Sequence, residues 1–328
     1  MRSGRTLFRP GPGAADQERE KVAIKLILDT DIGTDVDDAW ALALCLASPE
    51  IDLVGVTLVH ADLDTRAKIA LKMLKLAGRT DVPVYKGISK PLTEGAPLYW
   101  AGHEGTMTDF SDIAGLQARD GAVGFILDTV ERYPGEVVVS PIGPMTNIGE
   151  AIRRSPGTMR KARKLAIMGT TYAGEGREVA SREHNGCVDP VATKLVMESG
   201  IPATVVGLNV TTQVKVKPED LVGLAGSPFG EYLAAMTSQY FRIRGRDFTH
   251  MHDPLAVASV FDPSVVTTRR MSAEALEDGR AAYTSDERGH LDVCTAVDAP
   301  AFETLLTSRV RALCAQSQIS NLRSKGEM

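Results

Sequence analysis

Five aspartates fall within ten residues near the start of the chain. They are Asp29, Asp31, Asp35, Asp37 and Asp38. An apolar run at 24–28 precedes them and an apolar pattern at 39–47 follows, so they occupy the turn between a buried strand and a helix. Carboxylates packed this tightly repel one another unless a cation or protons intervene. Because oxygen ligands favour calcium or magnesium over zinc, the stretch predicts a divalent metal site.

Polar residues stand beside later elements of the sequence as well. They are His60 and Asp62 after the second apolar run, Asn147 after the fourth, Glu183 and Asn185 after the fifth, and His252 with Asp253 at the start of a later helix. In an open parallel sheet, ligands bind beyond the carboxyl ends of the strands. We therefore expect oxygen ligands and one histidine to meet at that edge. Taken alone, His252 and Asp253 fit equally well as a structural histidine and a helix-capping aspartate.

A structural explanation also exists for part of the aspartate cluster. Asp35 is placed to cap the following helix, and Asp37 and Asp38 would complement its positive end, each worth about 0.3–2 kcal/mol. No such role suits Asp29 and Asp31, which end a strand. The cluster as a whole is therefore interpreted as functional.

The apolar pattern alternates between short runs typical of strands and amphipathic helices, as in βα units around a parallel sheet. The predicted strands lie at 24–28, 53–58, 82–85, 136–140, 165–168 and 204–208. The predicted helices lie near 36–47, 64–77, 119–133, 145–154 and 189–199. Beyond about residue 215 the pattern is more helical, with β-like segments near 280–286 and 290–296 and a final helix at about 299–314. We predict an α/β fold: an open, mostly parallel, Rossmann-like sheet flanked by helices, with a helical C-terminal part.

One catalytic domain, at 22–314, accounts for most of the chain. We expect a disordered N-terminal tail at 1–21 and a C-terminal tail at 315–328. The first twenty residues lack the apolar core of a signal peptide or membrane anchor. The four cysteines are widely spaced and form no CxxC pair, which is typical of thiols in a reducing compartment. We therefore expect a cytoplasmic protein.

Charge limits the classes of partner. The chain of 328 residues has a net charge of -5 and an isoelectric point near 5.8. Nucleic acids and anionic membranes attract basic surfaces, so neither is expected as the main partner. A small polar molecule fits better.

Five fragments, in this order, resemble the inosine-uridine preferring nucleoside hydrolase family. They are the aspartate-rich opening, Ser140-Pro141-Ile142-Gly143-Pro144-Met145-Thr146-Asn147, Ile167-Met168-Gly169, Glu183-His184-Asn185 followed by Val188-Asp189-Pro190, and His252-Asp253-Pro254-Leu255-Ala256-Val257. The resemblance covers roughly residues 22–312. It implies the nucleoside hydrolase fold and hydrolysis of the N-glycosidic bond of a ribonucleoside, giving ribose and a free base, with a tightly bound calcium. It also implies a homo-oligomer, either a dimer or a tetramer.

The resemblance implies a set of calcium ligands. By position in the fragments they are Asp31, Asp38, Asp253 and the backbone carbonyl of Ile142, with Asp29 beside the metal. The calcium would also bind a water and the two ribose hydroxyls. Asp31 would then take a proton from the calcium-bound water.

The resemblance also implies roles for residues that contact the substrate. Asp37, Glu183 and Asn185 would hold the ribose, and His252 would protonate the leaving base. The physical argument agrees, because cleavage builds positive charge on the sugar ring and surrounding carboxylates stabilise that charge. A histidine can neutralise a departing base near neutral pH.

The aspartate-rich opening departs from the family pattern. Ile32 replaces the usual proline, and two extra residues precede the Asp37-Asp38 pair. The identity of the paired aspartates depends on where this insertion lies. Asp35 therefore remains a further candidate for the site.

Two family asparagines have no clear counterpart. After the second strand the family has Gly-Asn, which touches the ribose, whereas this chain has His60-Ala61-Asp62, and Asp62 is the candidate substitute. The second asparagine falls near Arg177. On the side that binds the base, His103 is a candidate contact, although a core or surface role suits it as well.

Two other classes of protein compete with this interpretation. A haloacid-dehalogenase-type phosphatase would use Asp29 as nucleophile and Asp31 as acid/base, but it leaves the Glu183 and His252 fragments unexplained. A non-catalytic nucleoside or sugar binder on the same fold would explain the missing asparagines. The presence of Asp31, Asp38 and His252 favours the hydrolase over the binder.

Overall fold

A central sheet flanked by helices organises the chain in the computed structural model, which describes residues 22–174 and 182–324. The strands are β1 (Ile24–Thr30), β2 (Ile51–Leu58), β3 (Val84–Lys86), β4 (Arg119–Asp120), β5 (Val137–Pro141), β6 (Lys164–Met168), β7 (Ala203–Val206), β8 (Lys215–Val216), β9 (Thr249–His250), β10 (Val266–Ala275), β11 (Ala281–Ser285) and β12 (Leu291–Val297). The helices are α1 (Asp37–Ala47), α2 (Leu63–Leu76), α3 (Ala122–Arg132), α4 (Thr146–Arg154), α5 (Pro156–Met159), α6 (His184–Val188), α7 (Pro190–Met197), α8 (Leu208–Thr211), α9 (Pro218–Leu221), α10 (Pro228–Arg244), α11 (His252–Phe261) and α12 (Ala299–Ser324).

The order of the strands creates a crevice at the centre of the sheet. Ten strands form one sheet in the order β11-β10-β12-β7-β6-β5-β1-β2-β3-β4. Neighbouring strands run parallel throughout, except that β10 is antiparallel to β11 and β12. The chain moves outward from β1 through β2 to β4 and then returns to place β5 on the other side of β1. This reversal of strand order is where open α/β sheets bind their ligands.

Helices cover both faces of the sheet, so the central strands are apolar on both sides. In β1, Leu26 and Leu28 pack into one core cluster while Ile27 packs into the other, as the two-residue period of a strand requires. The first cluster includes residues of α1, α11 and α12, and the second includes residues of α3, α4 and α7. The rigid double-sided core fixes the ends of β1 and β5.

The predicted fold class is confirmed: the sheet is open and mostly parallel, and all six predicted strands are present within a few residues of their expected bounds. The long strand β10 was not predicted, because most of its side chains are at least partly exposed and lack a clear apolar alternation. The final helix runs to Ser324, so residues 315–324 are helical where a tail is expected. The predicted N-terminal tail lies outside the described residues. No helix within 22–174 or 182–324 is long and apolar enough to cross a membrane.

The turn of the β10–β11 hairpin packs closely against α6. Gly279 in this turn has φ +83°, and a Cβ placed on it would lie 2.0 Å from the backbone oxygen of Gly186. The same hairpin supplies Tyr283, whose hydroxyl is 2.5 Å from Oγ1 of Thr170 in the loop after β6. The antiparallel edge of the sheet therefore supports the segment that carries Glu183 and Asn185.

Gly279→Ala should lower the free energy of unfolding by about 3 kcal/mol or more. A left-handed backbone costs an L-residue about 1–2 kcal/mol, and here the backbone of α6 must also move. Gly200→Ala is the matched control, because Gly200 has φ +73° but no atom within 4 Å of an added Cβ. Urea unfolding followed by circular dichroism measures both, and equal losses would contradict the close packing of hairpin and helix.

Candidate active site

A cavity of about 420 Å³ opens beyond the carboxyl ends of β1 and β5, at the reversal of strand order. Eight of the residues predicted for the site contribute to its wall. They are Asp31, Asp37, Asp38, Ile142, Glu183, Asn185, His252 and Asp253. Segments up to 222 residues apart in the sequence therefore meet at one edge of the sheet, as the strand-end argument predicts.

Three buried carboxylates form the closest cluster in the described part of the chain. One oxygen from each of Asp37, Asp38 and Asp253 lies within 4.8 Å of the others. Asp37 and Asp38 stand in the first turn of α1, and Asp253 stands in the first turn of α11. Thr30 donates a hydrogen bond to Asp38 at 2.5 Å, and the backbone N–H of Asp253 donates to Asp37 at 3.4 Å. The first turns of α1 and α11 thus bring their three carboxylates close together.

Burial and mutual repulsion make these carboxylates hard to ionise without a counter-charge. Burial, followed by the charge of Asp35, raises the pKa of Asp37 to about 8. Burial raises the pKa of Asp38 and of Asp253 well above the usual range, and the neighbouring carboxylates Asp31 and Asp37 add to the effect. A divalent cation would remove this repulsion and keep all three groups ionised.

Asp29, at the end of β1, does not contribute to the cavity wall. Its Oδ1 accepts hydrogen bonds from Thr57 at 2.5 Å and from Asn147 at 2.7 Å, while its buried Oδ2 has no hydrogen-bond partner. Burial raises the pKa of Asp29 to about 7. A buried carboxylate oxygen without a hydrogen-bond partner, near enough to Asp31 to feel its charge, fits a hard cation such as calcium or magnesium.

The closest cluster differs from the expected ligand set in one member. Asp37, expected at the ribose, joins Asp38 and Asp253 within 4.8 Å, whereas Asp31 lies in the loop before α1, outside that set but near enough for its charge to raise the pKa of Asp38. Oδ2 of Asp31 is 3.7 Å from Nη2 of Arg66, a fully buried guanidinium. The difference arises because Asp37 and Asp38 are consecutive in one helical turn, while Asp31 belongs to the loop that precedes it.

The opposite wall is formed by the segment after β6. Nδ2 of Asn185 donates to the backbone oxygen of Ile142 at 2.7 Å, so the amide and the predicted metal-binding carbonyl are neighbours. Glu183 caps α6 by accepting from the backbone N–H groups of Asn185 and Gly186, and it also accepts from that of Thr170. Burial raises the pKa of Glu183 despite these bonds. Glu183 is therefore fixed in position by its own helix start.

His252 is a partly buried, hydrogen-bonded histidine on the cavity wall. Its Nδ1 is 2.7 Å from the hydroxyl oxygen of Thr211, a residue of α8. Burial, followed by the nearby His250, lowers the pKa of His252 to about 4. The ring is thus neutral near pH 7, and this differs from the expectation of a histidine that changes charge near neutral pH.

Two predicted contacts do not lie at the cavity. Asp62 caps α2 by accepting from the backbone N–H groups of Asp64 and Thr65, and it is exposed. Nε2 of His103 is 2.8 Å from the backbone oxygen of Thr34, in a smaller crevice beside the aspartate loop. The position near Arg177 lies outside the described residues.

The capping role considered for Asp35 is wrong. The residue before α1 is Val36, and no side chain caps that helix. Nη2 of Arg244, at the end of α10, instead donates to Oδ1 of Asp35 at 2.7 Å, and Arg244 stacks over the ring of Tyr240 with 5.2 Å from Cζ to the centroid. The inserted residues therefore bring Asp35 to the cavity wall as the partner of an arginine.

Several residues of the cavity wall were not predicted. They are Thr34, Tyr99, Met168, His184, Leu208 and Arg244. Arg244 is 209 residues from its partner Asp35, and α10 carries no motif that marks its last turn as part of a site. His184 and Met168, in contrast, stand inside the quoted fragments and could have been included.

Comparison with known families gives one match across most of the chain. The family model described as "Inosine-uridine preferring nucleoside hydrolase" matches residues 26–304. "Uridine nucleosidase 1" of Arabidopsis thaliana is 32% identical over 260 residues, covering 75% of this chain and 76% of its own length. "Pyrimidine-specific ribonucleoside hydrolase RihB" of Escherichia coli is 30% identical over 281 residues, covering 81% and 88%.

Solved structures agree with the sequence comparisons. A plant nucleoside hydrolase, "PpNRh1 enzyme", superposes with a TM-score of 0.75 at 27% identity, covering 88% of this chain and 99% of its own. A "Purine-Preferring Ribonucleoside Hydrolase from Gardnerella vaginalis" superposes with a TM-score of 0.72 at 29% identity, covering 90% and 99%. The chain is therefore similar both to a relative named for pyrimidine and to a relative named for purine.

The Asp35–Arg244 pair can be tested by a double-mutant cycle. Asp35→Asn and Arg244→Gln should each change the free energy of unfolding by less than about 1 kcal/mol, because both side chains are partly exposed, at 44% and 33%. The pair should show a coupling of about 0.2–1 kcal/mol in urea unfolding. If Asp35→Asn lowers the free energy of unfolding by the same amount in the wild type and in the Arg244→Gln variant, the ion pair contributes nothing to stability.

Proposed function

The chain belongs to the inosine-uridine preferring nucleoside hydrolase family and is a ribonucleoside hydrolase, and we propose that its buried aspartates serve the reaction by holding a calcium ion. The observation that carries the proposal is that the buried carboxylates of Asp37, Asp38 and Asp253 bring oxygens within 4.8 Å of one another; Asp38 and Asp253 are proposed as ligands, and Asp37 is the neighbour proposed to face the ribose. Family membership decides against the phosphatase and the non-catalytic binder considered from the sequence.

The proposed calcium ligands are the carboxylates of Asp31, Asp38 and Asp253 and the backbone oxygen of Ile142, with Asp29 adjacent. Four of these line the cavity, and Asp29 supplies a buried oxygen without a partner. An all-oxygen donor set that includes a backbone carbonyl suits calcium. When bound, calcium supplies positive charge that lowers the pKa of a water and orients the ribose hydroxyls.

Asp31 is the proposed general base. Three cavity carboxylates lie outside the closest cluster, but Asp35 pairs with Arg244 and Glu183 accepts three backbone N–H groups. The carboxylate of Asp31, in contrast, has no hydrogen bond within the described residues and can accept a proton from the attacking water. Proton transfer to a positioned carboxylate contributes typically 10²- to 10⁴-fold to a rate. The water attacks the anomeric carbon as the bond to the base breaks, and Asp31 holds the proton.

Asp37, Glu183 and Asn185 are the proposed ribose-binding residues. The sugar ring becomes positively charged as the glycosidic bond breaks, so carboxylates around the ring stabilise the oxocarbenium-like transition state more than the ground state. Glu183 and Asn185 are fixed by the start of α6, and Asp37 is fixed by the start of α1. Such fixed groups need no reorganisation during the reaction.

His252 is the proposed proton donor to the leaving base. Because its ring is neutral, one nitrogen carries a proton and the other accepts. If the hydroxyl of Thr211 donates to Nδ1, the neutral ring carries its proton on Nε2, from which it donates a hydrogen bond to a base nitrogen. Transfer of a proton to the base starts from the imidazolium form, in which Nδ1 donates to Thr211 and Nε2 gives up its proton to leave the neutral ring. Thr211 thereby sets which nitrogen donates.

Location and assembly are also proposed from the sequence. All four cysteines are free thiols, three of them buried, which suits the reducing cytoplasm. A homo-oligomer, either a dimer or a tetramer, is the expected assembly.

The reaction is tested by incubating the purified protein and calcium with inosine, adenosine, guanosine, uridine and cytidine, and measuring the release of reducing sugar. At least one nucleoside should be hydrolysed, and Asp31→Asn should reduce kcat by about 10²- to 10⁴-fold because the general base is lost. Asp128→Asn is the control, since Asp128 is exposed on α3. Full activity of Asp31→Asn would contradict its role as base.

A further inference from the structure

Arg66 is a fully buried arginine that does not line the cavity. It stands near the start of α2, behind the aspartate loop. Burying a guanidinium is costly unless its charge and its donors are satisfied. The contacts of Arg66 therefore indicate the role of this buried charge.

The guanidinium joins the loops that follow two neighbouring strands. Its Nε donates to the backbone oxygen of His60 at 2.7 Å, after β2, and its Nη1 donates to that of Ile32 at 3.0 Å, after β1. These two bonds fix the plane of the guanidinium, because its donors form a rigid fork. Both carbonyls belong to loops without regular structure, so Arg66 replaces the backbone partners that they lack.

The remaining nitrogen of the fork faces the aspartate loop. Nη2 of Arg66 lies 3.5 Å from Oγ1 of Thr34 and 3.7 Å from Oδ2 of Asp31. The distance to Asp31 is an ion-pair contact rather than a short hydrogen bond, and the guanidinium is completely shielded from water. Attraction between the two charges is stronger there than at the surface.

A third segment closes over the same guanidinium. Cζ of Arg66 lies 5.2 Å from the ring centre of Trp100, within the range of a cation–π contact. Trp100 belongs to the excursion between β3 and β4, which also meets the aspartate loop through the hydrogen bond from Thr34 to Glu104 at 2.8 Å. Arg66 is thus the common contact of three segments around Asp31.

The loop after β2, one of the two that Arg66 joins, adopts a costly backbone conformation. His60 and Ala61 have φ of +67° and +57°, which L-residues rarely adopt. Such residues persist only where the surroundings hold them in place. The hydrogen bond that Arg66 donates to the His60 carbonyl is one of the contacts that hold this turn.

We infer that Arg66 is a positioning residue for Asp31. It acts by fixing the loop at Ile32 and by attracting the carboxylate of Asp31 from the side away from the substrate. This inference rests on the proposed function, in which Asp31 accepts a proton from the attacking water. Arg66 itself touches neither substrate nor water in this role.

Lysine cannot replace arginine in this role. Its ammonium is a compact charge on a flexible stem and cannot hold the carbonyls of His60 and Ile32 together while it faces Asp31. Arg66→Lys therefore keeps the positive charge and removes the geometry. The substitution separates positioning from simple charge balance.

Arg66→Lys should lower kcat on the best nucleoside by about 10- to 100-fold, the usual cost of losing a residue that orients an active-site group, with KM changed less than threefold. Arg79→Lys is the matched control, since Arg79 is partly exposed just beyond α2 and pairs with Asp81. It should leave kcat within twofold. Circular dichroism and urea unfolding confirm that each variant is folded; if Arg66→Lys does not fold, Arg66→Gln is measured in its place.

The decisive experiment introduces Arg66→Lys into the Asp31→Asn variant. If Arg66 acts through Asp31, Arg66→Lys should lower the residual kcat of Asp31→Asn by less than twofold. An equal fractional loss in both backgrounds would overturn the inference, as would a wild-type kcat in Arg66→Lys. Failure of the proposed function looks different, because wild-type protein would then release no base or Asp31→Asn would retain full activity.

Discussion

Repulsion among buried carboxylates is the constraint on which the rest of the structure depends. Asp37, Asp38 and Asp253 approach within 4.8 Å away from water, at a cost that no protein cation in direct contact offsets within the described residues. A fold tolerates such crowding where a bound cation offsets it. These carboxylates therefore depend on protons or on a bound cation, and the proposed calcium would supply that charge.

The sheet topology explains how distant segments meet this constraint. The reversal of strand order between β1 and β5 leaves room for the aspartate loop, while the first turn of α11 brings Asp253 from far along the chain. Surrounding contacts fix each group separately: Thr30 holds Asp38, the start of α6 holds Glu183, and the β10–β11 hairpin supports that start. These contacts position the carboxylates from the protein side, while the proposed cation would offset their repulsion.

Local sequence patterns were sufficient for the fold and for most of the site. Apolar runs placed the six parallel strands, and of the eight predicted residues that line the cavity, six follow these strands and two, His252 and Asp253, begin the later helix α11. The remainder depends on contacts that no local pattern encodes. The partner of Asp35 is 209 residues away, and Asp62 and His103 have polar side chains that local hydrogen bonds engage elsewhere. Strand β10 is largely exposed, so its position follows from pairing with β11 and β12 rather than from its own composition.

Calorimetric titration of metal-stripped protein with calcium tests the central claim most directly. The account predicts one calcium site per chain, with binding tighter than that of magnesium and strongly weakened in Asp253→Asn, because Asp253 supplies one of the three clustered oxygens. Asp128→Asn should bind calcium as the wild type does, since Asp128 is exposed on α3. Absence of calcium binding, or unchanged binding in Asp253→Asn, would contradict the account.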